Sequence, residues 1–150
     1  MKKFRFKLET PLRVKKITEE ICKQKLAEAI IAKSREEERL NHLLQTNSKI
    51  ISELQSLLSS SIRIKEVSLF NTYIDDLNSR IKSQKNSLDN AIEAYKYSWM
   101  SFIEKRKERQ VFERIKEKRF KAYIKEMNSE EQKNSDESAA TMYIFREGKD

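Results

Sequence analysis

Apolar residues recur along this chain at alternating steps of three and four. In the first half, Leu26, Ile30, Leu40, Leu44, Ile51, Leu54 and Leu58 fall on one seam, interrupted by Lys33, Glu37 and Asn47 and flanked by Leu43, Ile50 and Leu57. Val14, Ile17 and Ile21 form a stripe out of phase with it, which predicts a slip in the repeat near residues 21 to 26. In the second half, Val67, Phe70, Ile74, Leu77, Ile81, Gln84, Leu88, Ala91, Tyr95, Ser98 and Phe102 run without slip, and Ile92 and Trp99 widen the stripe. Beyond Phe102 the pattern loosens into Phe112, Ile115, Phe120, Tyr123, Ile124 and Met127 among charges. A sustained repeat of this kind, with charges between its apolar positions, is the signature of a coiled coil.

Thr10-Pro11 reads as a helix start, because Thr can cap and Pro loses no hydrogen bond in a first turn. The stretch "SSSIRIKE", Ser59 to Glu66, breaks the first repeat: serines compete for backbone hydrogen bonds, and β-branched Ile62 and Ile64 follow. The expected fold is therefore all-α, a long antiparallel two-helix coiled-coil hairpin forming a single domain over 1–150. Its parts are a helix over 11–58, a turn over 59–66, a helix over 67–128, and a tail over 129–150 that is expected to hold loosely after Met127. Placing Leu58 opposite Val67 puts Leu12 near Glu113.

Composition removes the competing architectures. The 150 residues include one Gly, Gly148, and one Pro, Pro11, so a sheet would lack the turns it needs. Charged residues make up 37%, but the regularly spaced 37% of hydrophobic residues argues against a disordered chain. Cys22 is the single cysteine and has no Cys or His nearby, so it reads as a small packing residue with no disulfide and no metal. No apolar run reaches the ~18 residues of a membrane span, and charge continues from Met1 through Lys16 where a signal peptide would be apolar. These features predict a soluble, cytosolic protein.

Catalytic material is sparse. His42 is the single histidine and lies on a helix among Leu40, Leu43 and Leu44, with no nucleophile or orienting acid placed beside it. No glycine-rich phosphate loop exists, and a two-helix hairpin offers no water-excluding pocket. The expectation is a protein without enzymatic activity and without a cofactor. The carboxylate cluster "EEQKNSDESA", Glu130 to Ala139, has no histidine or glycine turn near it and is a poor catalytic site.

Charge is uneven. Residues 1–16 hold seven Lys/Arg against one Glu, and residues 103–125 hold ten against four. The hairpin makes these segments neighbours, a dense basic pole. Such a pole can bind nucleic acid through phosphates, dock on an acidic protein surface, or lie on a membrane. The four Glu interleaved at helical spacing argue against nucleic acid, while Phe4 and Phe6 fit a protein or membrane contact.

The opening "FRFKLETPLRVKK" resembles the F-x-F-x-L-x-x-L-L-R start of the flagellar export protein FliJ family. The closing region, with Glu131, Gln132, Lys133, Asp136, Glu137 and Ala139, resembles that family's E-Q-K-x-x-D-E-x-A. Ser135 departs from the Leu or Met usual before the Asp-Glu pair and removes an apolar anchor. The resemblance implies a non-enzymatic coiled-coil stalk of the bacterial flagellar type III export apparatus. Implied roles are promoting ring assembly of the export ATPase FliI, coupling the hexamer to the cytosolic domain of the export gate FlhA, and escorting export chaperones. The implied location is cytoplasmic, peripheral on the inner membrane at the flagellar base through partners, with no nucleic acid. Arg106, Arg109, Arg114, Lys118 and Arg119 are then the expected ATPase contacts, and Leu43, Ile50, Tyr73 and Leu77 the expected gate contacts. An unrelated coiled-coil adaptor or nucleic-acid-binding rod is the alternative.

Overall fold

The computed structural model describes residues 3–60 and 63–147. It has two helices, α1 (Glu9–Leu58) and α2 (Ile64–Glu147). The fold is the expected all-α antiparallel coiled-coil hairpin.

Helix α1 begins two residues before Pro11, where the amide of Leu12 donates to the carbonyl of Leu8 at 3.0 Å. Pro11 thus sits in the first turn, where its missing N–H leaves no gap. The helix ends without glycine. Ser59 Oγ donates to the Gln55 carbonyl and Ser60 Oγ to the Leu57 carbonyl, both at 3.0 Å, so hydroxyls satisfy carbonyls left over at the terminus. No described residue needs a positive φ. Ser61 and Ile62, at the middle of the expected turn, lie outside the described residues. Helix α2 starts at Ile64, three residues earlier than expected, with the Arg63 carbonyl accepting from the amides of Glu66 and Val67.

Two expectations are corrected. First, α2 does not end near residue 128. It continues to Glu147, since 129–147 contains no proline or glycine and the hydroxyls of Ser138 and Thr141 bond back within the helix. Second, the repeat of α1 does not slip. Its inward positions are Leu12, Lys15, Glu19, Cys22, Leu26, Ala29, Lys33, Glu36, Leu40, Leu43, Asn47, Ile50, Leu54 and Leu57, an unbroken alternation of three and four. Val14, Ile17, Ile21, Ile30, Leu44, Ile51 and Leu58 are exposed. Leu43, Ile50 and Leu57 therefore lie in the seam, and Leu44, Ile51 and Leu58 flank it. Both columns belong to one apolar stripe wider than 100°, and the partner helix decides which column is its centre.

The chain forms two compact units, residues 1–19 with 105–150, and residues 20–104. In the second, Leu77 and Ile81 are the buried apolar residues, and the α2 seam follows the expected positions from Val67 to Phe102. Its seam also has polar layers. Cys22 Sγ lies 3.6 Å from Ser101 Oγ, Gln84 Nε2 donates to the Glu36 carbonyl at 3.1 Å and to its carboxylate, and Lys33 Nζ sits 5.1 Å from the Tyr95 ring centroid. Asn47 Oδ1 is buried without a hydrogen-bond donor among the described residues. Polar groups at seam positions lower stability but hold one register.

Candidate partner-docking surface

The unit that holds both termini is built around an ionic seam. Lys15 Nζ meets Glu108 at 2.6 Å, and Lys105 Nζ reaches the same carboxylate at 3.0 Å. Arg109 bridges Glu19 on α1 and Glu113 on its own helix, while Lys16 stands 3.8 Å from Glu113. Lys116 meets Glu9 at 2.7 Å. These contacts place Leu12, which is 1% exposed, in a shallow groove with Lys16, Glu113 and Lys116. That is the register expected from the position of the turn.

The titrations follow from these contacts. Hydrogen bonds from Lys15 and Lys105 hold the Glu108 carboxyl below the usual range, and Lys116 does the same for Glu9. The hydrogen bond from Lys121 lowers Glu117. The hydrogen bond to Glu19 raises Arg109, which stays charged at any ordinary pH. A carboxyl lowered in the folded state stabilises above its unfolded pKa of about 4.3, and the stabilisation fades as pH falls through the folded value. The ion-paired unit should therefore loosen below about pH 4. Limited proteolysis between pH 7 and pH 3 should show cleavage near residues 105–120 only at the acid end. Equal resistance throughout would show that the ion pairs do not hold this unit closed.

The segment before α1 folds against α2. Phe4 packs edge-on to Phe120, ring centroids 5.2 Å apart, and lies 5.5 Å from Tyr123. Phe6 is buried, with Lys116 Nζ 5.8 Å and the Arg119 guanidinium 5.9 Å from its ring centroid. The two phenylalanines expected to touch a partner or a membrane are thus taken up within the chain. Burying them beside cations supplies both apolar contact and cation–π attraction.

The pairing sorts the charges of this unit. Glu9, Glu19, Glu108, Glu113 and Glu117 all have cationic partners inside the unit. Arg13, Arg106, Lys107, Arg114, Lys118, Arg119 and Lys125 are exposed and have no ion pair among the described residues. Lys107, Arg114, Lys118 and Lys125 share one side of α2 by their spacing. Glu19 and Glu108 are drawn into the seam, so these cations have fewer outward carboxylates beside them than the interleaved sequence suggests.

The expected contact residues therefore divide. Arg106, Arg114, Lys118 and Arg119 are on the surface, whereas Arg109 is held in the seam. In the other unit, Leu43 and Ile50 are half-buried, Leu77 is 3% exposed, and Tyr73 is exposed. Tyr73 lines a shallow, open groove of about 480 Å³ with Leu69, Phe70, Thr72 and Asp76. Leu69, absent from the sequence-based candidates, is 73% exposed there; a large apolar residue outside the repeat was the available signal. Glu131, Gln132, Lys133, Asp136, Glu137 and Ala139 are all exposed on α2, and Asn134, Glu137, Ser138, Thr141, Met142 and Phe145 line a second open groove. His42 is exposed, and no three His, Cys, Asp or Glu gather as a metal site among the described residues. No helix there is long and apolar enough to cross a membrane.

The family model described as "Flagellar FliJ protein" matches residues 4–148. No curated protein sequence matches the chain. Among solved structures, a putative YscO homolog, CT670, from Chlamydia trachomatis superposes with a TM-score of 0.63 at 20% identity. The match covers 99% of this chain and 100% of that one. At that identity the likeness speaks for the fold.

Proposed function

Because the chain belongs to the flagellar FliJ protein family, we propose that it is the stalk-like adaptor of a flagellar type III export apparatus. In this reading it promotes assembly of the export ATPase FliI into its hexameric ring. It also couples that ring to the cytosolic domain of the gate FlhA and escorts export chaperones. It works in the cytoplasm, at the inner face of the membrane, through these partners and not through a lipid contact of its own.

One observation carries the ATPase contact. Ion pairing inside the unit that holds both termini engages Glu9, Glu19, Glu108, Glu113 and Glu117 and leaves Arg106, Arg114, Lys118 and Arg119 exposed without an ion pair among the described residues. An acidic surface on the ATPase would be steered and oriented by these cations. Arg109 acts indirectly, by holding Glu19 and Glu113. For the gate, Tyr73 and Leu69 supply exposed apolar area on one groove, Leu43 and Ile50 offer their half-buried edges, and Leu77, buried in the seam, contributes packing.

Co-sedimentation with the FliI from the same genome tests the proposal. The chain should pellet with the ATPase and increase its hexamer fraction, with an affinity that falls as salt rises. Absence of both effects would defeat the reading. Nanomolar binding to random duplex DNA with a steep salt slope would instead favour a nucleic-acid rod.

A further inference from the structure

The outer face of α2 has a second repeat that the hairpin does not use. Val111, Ile115, Lys118, Ala122, Ser129, Lys133, Asp136, Ala140 and Ile144 lie along one side of the helix, about 120° from the seam, with Arg119 and Glu137 beside them. Val111 is 53% exposed and Ile144 69%, and Lys118, Arg119, Ala122, Asp136, Glu137 and Ala140 are exposed as well. The face is basic toward Val111 and acidic toward Ile144. Its two ends are thus complementary to each other, but they cannot meet within one chain. The helix is unbroken, and Glu137 stands about 27 Å from Arg119 along it.

We propose that two copies of this chain pair antiparallel along this face, about a two-fold axis beside Met127 and Asn128. Val111 then packs against Ile144 of the second copy, and Ile115 against its Ala140. Lys118 meets Asp136 of the second copy on one flank, and Arg119 meets its Glu137 on the other. Symmetry repeats each contact, as an isologous interface requires. Ala122 and Ser129 are small and let the helices approach near the axis. Glu126 and Glu130 come onto the same flank there, and Lys133, one turn away, supplies the counter-charge. The exposed stripe of Ile30, Leu44 and Ile51 on α1 has no such internal complement, so charge selects the α2 face.

The pairing covers Lys118 and Arg119. If the function proposed above holds, the paired form and the ATPase-docked form exclude each other, and self-association would keep the chain in reserve. That consequence rests on that function; the pairing does not.

Sedimentation of the full chain alone tests the pairing. The chain should show a concentration-dependent dimer that weakens with salt. Asp136→Lys with Glu137→Lys, and separately Lys118→Glu with Arg119→Glu, should each weaken dimerisation by about tenfold or more. Mixing the two variants in equal amounts should restore it, because each reversed face then meets an opposite one. Circular dichroism confirms that both variants keep their helices. A chain monomeric at every concentration would overturn the proposal. So would variants that dimerise as the natural chain does, or a mixture that restores nothing. Because no ATPase is present, these results are separable from failure of the proposed function.

Discussion

A chain carrying Arg114→Glu, Lys118→Glu and Arg119→Glu is expected to associate with FliI about 100-fold more weakly while keeping its helicity. Each reversal replaces an attraction with a repulsion at a charge-steered contact, and roughly 1 kcal/mol at each of three sites amounts to about two orders of magnitude. None of the three has an ion pair among the described residues, so the internal network survives. Arg119 also lies over the Phe6 ring, and Arg119→Glu alone serves as the control for that contact. Co-sedimentation gives the binding and circular dichroism the helicity. Loss of both together would make these residues structural, and the cationic face would lose its role. Arg109→Ala should behave differently. It leaves Glu19 beside Glu113 without their shared cation, so thermal stability should fall along with binding.

Leu77→Ala is expected to destabilise the chain by about 2–4 kcal/mol, against less than about 1 kcal/mol for Leu44→Ala. Leu77 is 3% exposed and Leu44 is 42% exposed, although both fall on apolar columns of the sequence. Only Phe6, Leu12, Leu77 and Ile81 are buried apolar residues among those described, so each carries an unusual share of the packing. Urea titration followed by circular dichroism measures the difference. Equal losses would mean that Leu44 belongs to the seam after all. If Leu77→Ala also weakens association with FlhA, comparison at a temperature where the variant is fully folded separates packing from contact.

Much of the fold was legible. With a single Pro and a single Gly, a chain of two long heptad runs joined by a serine-rich break has few alternatives to a helical hairpin. The α2 seam was legible because one column keeps the three-four step unbroken from Val67 to Phe102, although Ile92 and Trp99 adjoin it. The α1 seam was misread because Leu43 and Leu44, Ile50 and Ile51, and Leu57 and Leu58 are adjacent apolar pairs. Neither member of such a pair is marked by its chemistry as the inward one. The end of α2 was misplaced because the apolar pattern stops near Met127 while helix propensity does not, so a run without proline or glycine stays helical beyond its packing partner.

The candidate surface divides in the same way. Local composition identified the basic segments and the family motifs at either end, since both are properties of consecutive residues. Which cations remain available is a property of pairs separated by about ninety positions. Arg109 and Arg114 are indistinguishable in sequence, yet one is fastened to Glu19 across the hairpin and the other faces outward. Phe4 and Phe6 have the composition of partner contacts, but they pack against Phe120 and Lys116 of α2. The sequence by itself determined helix, hairpin and overall charge, because those depend on spacing and composition. Only the tertiary structure decided the seam's phase and the outward charge pattern, because both depend on what the opposite helix presents at the same height.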